Sequence, residues 1–403
     1  MKHCLICNAS IHPFISFGKM PIANAFLTKD EFSQEYFFEL QVAFCENCEM
    51  VQLLEQPDRE KMFHEKYAFF SSTSIRMAEH FRQFAQFVKK HYLENSSSFV
   101  VEMGCNDGIL LKNFISNKHI GIEPSDNVAE VAKNKGINTI NSFFDESLAK
   151  DIVQDYGQAD AFLGTNVMCH IPYLHSIAEG IRLLLKPKGV LIFEDPYLLD
   201  ILEKTSYDQI YDEHAFYFSV ASISNLFASH GLELFDVKPQ NVHGGSMRYF
   251  LGHKGIHPIS KNVSNQRIKE KTNGLHTPET YERLRKNIEL SRNNLKDLLV
   301  NLNKQKKRVV GYAATSKSTT VINYCKLDSH LIEFISDTTP IKQGKYSPGT
   351  HIPIKPYEQF SVNYPDYALL FGWNHAEEIM NKEQSFRKNG GKWIVYVPKV
   401  DIF

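Results

Sequence analysis

The chain has 403 residues, with 45 Lys and Arg against 46 Asp and Glu and a net charge of −1. That length suits two or three domains and a sizeable core, and the balanced charge argues against a nucleic-acid binder, which carries a basic excess or stripe. No apolar run reaches the roughly 18 residues of a membrane helix, and the N-terminus MKHCLICNAS lacks an apolar signal core, so a cytoplasmic protein without membrane contact is expected.

Residues 1–55 read as a zinc-binding module. Cys4-Leu-Ile-Cys7 and Cys45-Glu-Asn-Cys48 are two C-x-x-C pairs. Two intervening residues let the backbone turn and aim both sulfurs at one ion, and four thiolates complete a closed tetrahedral shell. A closed shell leaves no position for substrate, so the role is structural. Cys105, Cys169 and Cys325 are scattered and join no such pattern.

Residues 56–98 read as a mainly helical connector. Phe81, Phe84, Phe87 and Val88 recur at helical spacing and form a core stripe. Ahead of them stands Tyr67-Ala-Phe-Phe-Ser71, which the residues alone favour as a capping stretch over a substrate contact.

Residues 99–252 alternate strand, loop and helix. Phe99–Glu102 is a strand, Met103–Gly108 a glycine-bearing loop, and 109–115 is expected to open a helix. A second strand, Ile120–Glu123, ends in an acid about twenty residues after the first, which is Rossmann logic: glycines for close backbone approach, an acid for a ribose diol. The loop is not G-x-G-x-x-G, and no Lys or Arg follows to neutralise a pyrophosphate. It suits S-adenosylmethionine (SAM), a cofactor without phosphates, better than a dinucleotide. Glu102, Gly104, Asn106, Asp107, Gly108 and Glu123 are the candidate cofactor residues. Strand Ala161–Asn166 leads to His170, and Asn166 stands where ligands sit in an open α/β sheet. For His170 a ligand-facing and a structural role are both open. A helix over 173–186, a turn at 186–189 and a strand over 189–193 follow.

The stretch 194–219 places Tyr207, Tyr211, Glu213, His214 and Tyr217 close together. A histidine near its reference pKa of about 6.5 can take a proton at neutral pH, a carboxylate can orient it, and tyrosine hydroxyls can donate to an oxyanion. A buried polar loop with satisfied hydrogen bonds fits the spacing equally well. Val242-His243-Gly244-Gly245-Ser246 lets backbone amides approach an anion or sugar, or makes a hairpin turn. Arg248 suits a phosphate contact or a surface charge.

Residues 253–276 read as a polar linker. Thr277-Pro278 starts a long helix to about 304, with Tyr281, Leu284, Ile288, Leu295 and Leu302 on one stripe. Residues 307–403 form a second Rossmann-like α/β domain. Strand 308–314 runs into Thr315-Ser316-Lys317 at a helix N-terminus, which is an anion site. Strand 331–335 ends at Asp337. The fold class is therefore α/β, with a zinc module and two Rossmann-like units, one ligand for each unit.

Across its full length the chain resembles the SAM-dependent C-methyltransferases of deoxysugar biosynthesis, which act on nucleotide-linked 4-keto-6-deoxysugars. The resemblance rests on the Cys4, Cys7, Cys45, Cys48 module and on V-E-M-G-C-N-D-G, N-V-M-C-H-I-P, E-D-P-Y-L, I-Y-D-E-H, H-G-G-S-M-R and K-Y-S-P-G-T-H-I-P in that order. Segment 165–219 is similar to enzymes methylating C-3 of dTDP-sugars. One departure is G-Y-A-A-T-S-K-S, where the family has a G-Y-G-A-P-A-K-G-like loop. The resemblance implies His214 as base, Tyr211 and Glu213 as its helpers, and Tyr67 and His170 as walls of the sugar pocket, which overrides capping at Tyr67. Ser71, His243, Gly244, Gly245, Arg248, Ser316, Lys317 and Asp337 are the candidate substrate contacts, and a monomer or homodimer is expected. The alternatives are an O- or N-methyltransferase sharing only the cofactor domain, and a zinc-bearing nucleic-acid binder with a degenerate methyltransferase domain.

Overall fold

The computed structural model describes residues 2–62 and 75–403, so Tyr67 and Ser71 lie outside the described residues. The first sheet is antiparallel and built from Pro13–Pro21, Phe37–Phe44 and Val51–Leu53. Its fourth strand, Phe216–Tyr217, comes from far along the chain and begins two residues after His214.

The central sheet has seven strands, in the spatial order Leu232–Gln240, Ser246–His253, Leu185–Pro196, Ala159–Thr165, Phe99–Met103, Lys118–Ile122, Thr139–Ile140. Ser246–His253 runs antiparallel between its two neighbours; the five strands beyond it are parallel. Every residue of Phe99–Met103 is buried, as a strand covered on both faces requires. Phe81, Phe84 and Val88 of helix Ile75–Tyr92 pack on one face against Val100 and Ile192. Helices Glu146–Tyr156 and Leu174–Leu184 cover the other, with Ile152, Ile177 and Ile181 buried beside Phe162 and Leu191.

The third sheet runs Ile354–Lys355, Ile335–Ser336, Val309–Tyr312, Tyr367–Leu370, Lys392–Val395, Asp401–Ile402, parallel except for the last strand. Helix Pro278–Lys304 buries Tyr281, Leu284, Ile288, Leu295 and Leu302, and Tyr281 meets the rings of Phe14 and Phe44 in the first sheet. Among the described residues no helix is long and apolar enough to cross a membrane.

Four local expectations change. After the glycine loop there is a 3-10 turn, Leu111–Phe114, rather than a helix over 109–115. The Asn113 amide donates to the carbonyls of Ile109 and Leu110, a side-chain competitor for the bonds a helix would use. The strand expected over 189–193 begins at Leu185 and runs to Pro196, with an irregularity between Leu185 and Val190 where the turn was expected. The polar linker holds a helix, Lys261–Thr272. It shows no apolar stripe because one buried carboxylate anchors it: Glu270 accepts from Tyr197 Oη at 2.6 Å and from the amides of Val220 and Ala221. The strand expected over 331–335 shrinks to Ile335–Ser336, because the Leu331 and Ile332 amides close a turn onto Asp328 O.

Candidate active site

The four module sulfurs lie within 4.8 Å of one another, with Cys4 and Cys48 3.5 Å apart and Cys7 and Cys45 3.4 Å apart. A tetrahedral zinc thiolate at about 2.3 Å per bond needs sulfurs roughly 3.8 Å apart, so the donor set fits the ion. The two knuckles share one geometry. Asn8 N donates to Cys4 O and Glu49 N to Cys45 O, at 2.9 and 2.8 Å, with Asn8 and Glu49 at φ of 59° and 60°.

A cleft of about 890 Å³ opens between the C-terminal ends of the central strands and the third sheet. At the end beside the glycine turn, Glu102, Gly104, Asn106, Glu123 and Asn166 are lining residues. Glu123 accepts from the amides of Asn106 at 3.1 Å and Ser125 at 2.9 Å, which fixes its carboxylate at the strand end. Burial pushes Glu123 up, and burial plus the charges of Glu123 and Asp107 pushes Glu102 well above the usual carboxylate range. Gly104 is needed for its φ of 65° and for packing: a Cβ there would lie 2.7 Å from a Val167 methyl. Phe143 and Tyr173, also lining residues, carry the Arg59 guanidinium 4.1 and 5.3 Å above their rings. Acids for a ribose and aromatic walls for an adenine fit SAM. Asp107 instead takes the Lys135 ammonium at 3.0 Å, and Gly108 packs on Ile137.

At the centre of the cleft stand Tyr211, Glu213 and His170. His214 sits one layer behind, 2 % exposed. Its Nδ1 is 2.8 Å from Gln209 O and its Nε2 is 2.9 Å from Tyr211 Oη. A carbonyl only accepts, so Nδ1 carries the proton and Nε2 presents its lone pair to the tyrosine. The His170 ring stacks on His214 with centroids 5.2 Å apart. Burial, then the charges of His170 and Lys317, hold His214 well below the ordinary histidine range, and burial holds His170 at about 4. Glu213 receives the Asn24 amide at 2.6 Å.

The far end of the cleft is formed by His243, Gly244, Ser316, Lys317 and Trp373. Gly244, at φ of 92°, lies against the indole; a Cβ there would be 2.5 Å from it. Trp373 Nε1 donates to Asp208 at 2.6 Å, and Lys317 Nζ to His243 O at 3.3 Å. Lys204, Lys382 and Arg76 share this end. Gly245 packs instead on Asp200. Asp337 accepts from the amides of Ala314 and Thr339 at 2.7 Å each, the same arrangement that Glu123 makes in the central sheet.

Arg248 is neither a surface charge nor turned to a phosphate. It is buried, ion-paired through Nε and Nη2 with Glu194, and lies 4.0 Å over the Phe84 ring. His80 Nε2 holds the other Glu194 oxygen at 2.6 Å. Burial alone would raise Glu194, but His80 and Arg248 keep it below the usual carboxylate range. The cleft also takes in Asn24, Arg59, Glu194 and Trp373, with His80 bonded to Glu194, and local sequence pattern does not mark them as a group. For Glu194 alone there was a signal, its place at a strand end beside the glycine loop.

The strand order with one antiparallel insertion, the phosphate-free glycine turn and the sulfur cage define a zinc-bearing, SAM-dependent methyltransferase. Profiles of three domain families match in sequence: a zinc binding domain over 4–63, a methyltransferase domain over 63–237, and a C-methyltransferase C-terminal domain over 241–398. C-methyltransferase NovU from Streptomyces niveus is 33% identical over 389 residues, 96% of this chain and 92% of that protein. The chain belongs to this family of SAM-dependent C-methyltransferases. Solved structures similar in part include a SAM-dependent methyltransferase from Clostridium acetobutylicum, at TM-score 0.35 and 13% identity over 44% of this chain and 92% of that one. Magnesium protoporphyrin IX methyltransferase from Synechocystis with bound SAH reaches TM-score 0.35 and 14% identity over 49% and 92%.

Proposed function

We propose that this C-methyltransferase acts on a nucleotide-linked 4-keto-6-deoxysugar, dTDP-linked and methylated at C-3, with His214 as the base. The observation that carries the reading is the Tyr211–His214 pair. A C–H bond beside a ketone is acidic enough to remove, and the pair offers a nitrogen lone pair hydrogen-bonded to a tyrosine that lines the cleft. The Tyr211 oxygen takes the C-3 proton as its own proton passes along the 2.9 Å bond to His214 Nε2. His214 becomes an imidazolium, steadied by Gln209 O on its other nitrogen. Burial keeps His214 neutral at pH 7, so its lone pair is available, while lowering its basicity; the Gln209 carbonyl on Nδ1 offsets part of that loss. His170 and Glu213 wall the same space and orient the sugar. Glu102, Glu123 and Asn166, beside the glycine turn, would hold SAM, which would supply an electrophilic methyl group.

The cations at the far end favour an anionic handle on the substrate. Lys317 lies at the start of helix Ser316–Tyr324, whose Thr315 cap accepts from Ser318 N. Free amides and an ammonium at a helix start suit a diphosphate, and Trp373 and the His243-Gly244 turn form the wall beside it. The test is to incubate the protein with SAM and a panel of nucleotide-linked 4-keto-6-deoxysugars, reading mass and locating the methyl by NMR. A methyl on C-3 is expected. No product from any member of the panel, or a methyl on oxygen, refutes the reading.

A further inference from the structure

The zinc module does more than fold beside the catalytic domain. Its last strand, Val51–Leu53, pairs with Phe216–Tyr217, with Gln52 opposite Phe216 and Val51 opposite Tyr217. Leu53 N also donates to Ala215 O at 2.9 Å. The first residue after His214 is thus clamped to a strand that begins three residues past the ligand Cys48. On the other side of His214, Ala23 N donates to Asp212 Oδ1 at 2.9 Å and the Asn24 amide to Glu213 at 2.6 Å. The whole segment 212–217 is therefore held by main chain and side chains of residues 23–53.

One buried side chain joins this clamp to the metal cage. Gln52 is 1 % exposed. Its Oε1 accepts from Leu5 N at 3.0 Å, and Leu5 lies inside the Cys4–Cys7 knuckle. Gln52 thus ties the knuckle that would hold the metal to the strand that pairs with Phe216. A glutamine buried between two backbone segments costs desolvation unless both ends are used; here Nε2 reaches Leu53 O at 3.4 Å.

We infer that zinc binding positions the Tyr211–His214 pair, and that Gln52 is the positioning residue through which it does so. This rests on the proposed role of that pair only where catalysis is read; the mechanical coupling stands without it. Stripping the metal frees the knuckle, Leu5 N loses its fixed direction, the Val51–Leu53 edge loosens, and the loop behind the cleft follows. The end of the cleft beside the glycine turn, with Glu102, Glu123 and Phe143, is not part of this chain of contacts.

Gln52→Met keeps the side chain's size and removes the acceptor. The expected result is full zinc content, SAM affinity equal to wild type, and hydrogen exchange of the amides in 209–217 faster by about tenfold or more. Proton exchange at the sugar carbon should fall in kcat with KM unchanged. Unaltered protection of 209–217 in a zinc-loaded Gln52→Met protein overturns the inference. Should that variant fail to fold, the same amides are followed in wild type as a chelator removes the metal. Protection retained at 209–217 while the knuckles open overturns it equally. A loosened loop with undiminished proton exchange upholds the coupling and instead refutes the catalytic assignment of Tyr211 and His214.

Discussion

Tyr211→Phe separates the two atoms on which the proposed chemistry depends. Phenylalanine keeps the ring, which lies 4.2 Å from the His214 ring between centroids, and removes only the hydroxyl bonded to His214 Nε2. His214 Nε2 then loses its donor in a site 2 % exposed, and leaving a buried polar atom unsatisfied costs about 1–3 kcal/mol of stability. The effect on catalysis is larger. Loss of a positioned acid–base group lowers rate by about 10²–10⁴-fold, and both singles remove the same relay, so Tyr211→Phe, His214→Asn and the double variant should fall to a similar floor. The assay is deuterium washing into the carbon beside the ketone, followed by NMR, with SAM affinity measured in parallel and expected to match wild type. Exchange at the wild-type rate in Tyr211→Phe, with His214→Asn inactive, refutes the relay and leaves His214 acting directly. Wild-type exchange in His214→Asn refutes the base itself.

Two further outcomes follow from the same geometry. His170 has its folded pKa lowered to about 4 by burial, so it is neutral in the native state while the unfolded chain protonates it below about 6.5. Its contribution is therefore present above pH 6.5 and is lost as pH falls toward 4, a loss of about 3 kcal/mol by linkage; His170→Asn should flatten this part of the urea-measured stability profile, and an unchanged slope contradicts it. Lys317→Met should weaken binding of a nucleoside diphosphate by tenfold or more in calorimetry and leave SAM affinity alone, whereas equal affinity would remove Lys317 from the anion site.

What the sequence makes legible is what lies close in sequence. The paired cysteines, the glycine turn with Glu123 after it, and the Thr315-Ser316-Lys317 helix start all act over short separations, and local spacing reports them directly. The rest of the site is assembled across the chain. Asn24 reaches Glu213 over 189 residues, His80 reaches Glu194 over 114, and Trp373 reaches Asp208 over 165. No periodicity marks such pairs, because each residue alone resembles an ordinary surface polar group. Arg248 is the clearest instance: its charge suggested a phosphate or solvent, and only the fold shows Glu194 and the Phe84 ring taking it up. Helix Lys261–Thr272 fails a periodicity reading for a related reason, since Glu270 rather than an apolar stripe fastens it.

Carbon acidity beside a ketone is what separates this chemistry from methyl transfer to oxygen or nitrogen. The direct measurement offers the enzyme a nucleotide-linked 4-keto-6-deoxysugar and its 4-hydroxy counterpart, each with SAM, and identifies the methylated atom by NMR. Methyl transfer to carbon in the ketone alone, with the alcohol bound but unchanged, is the predicted result. Methylation of the alcohol, on any atom, would contradict it.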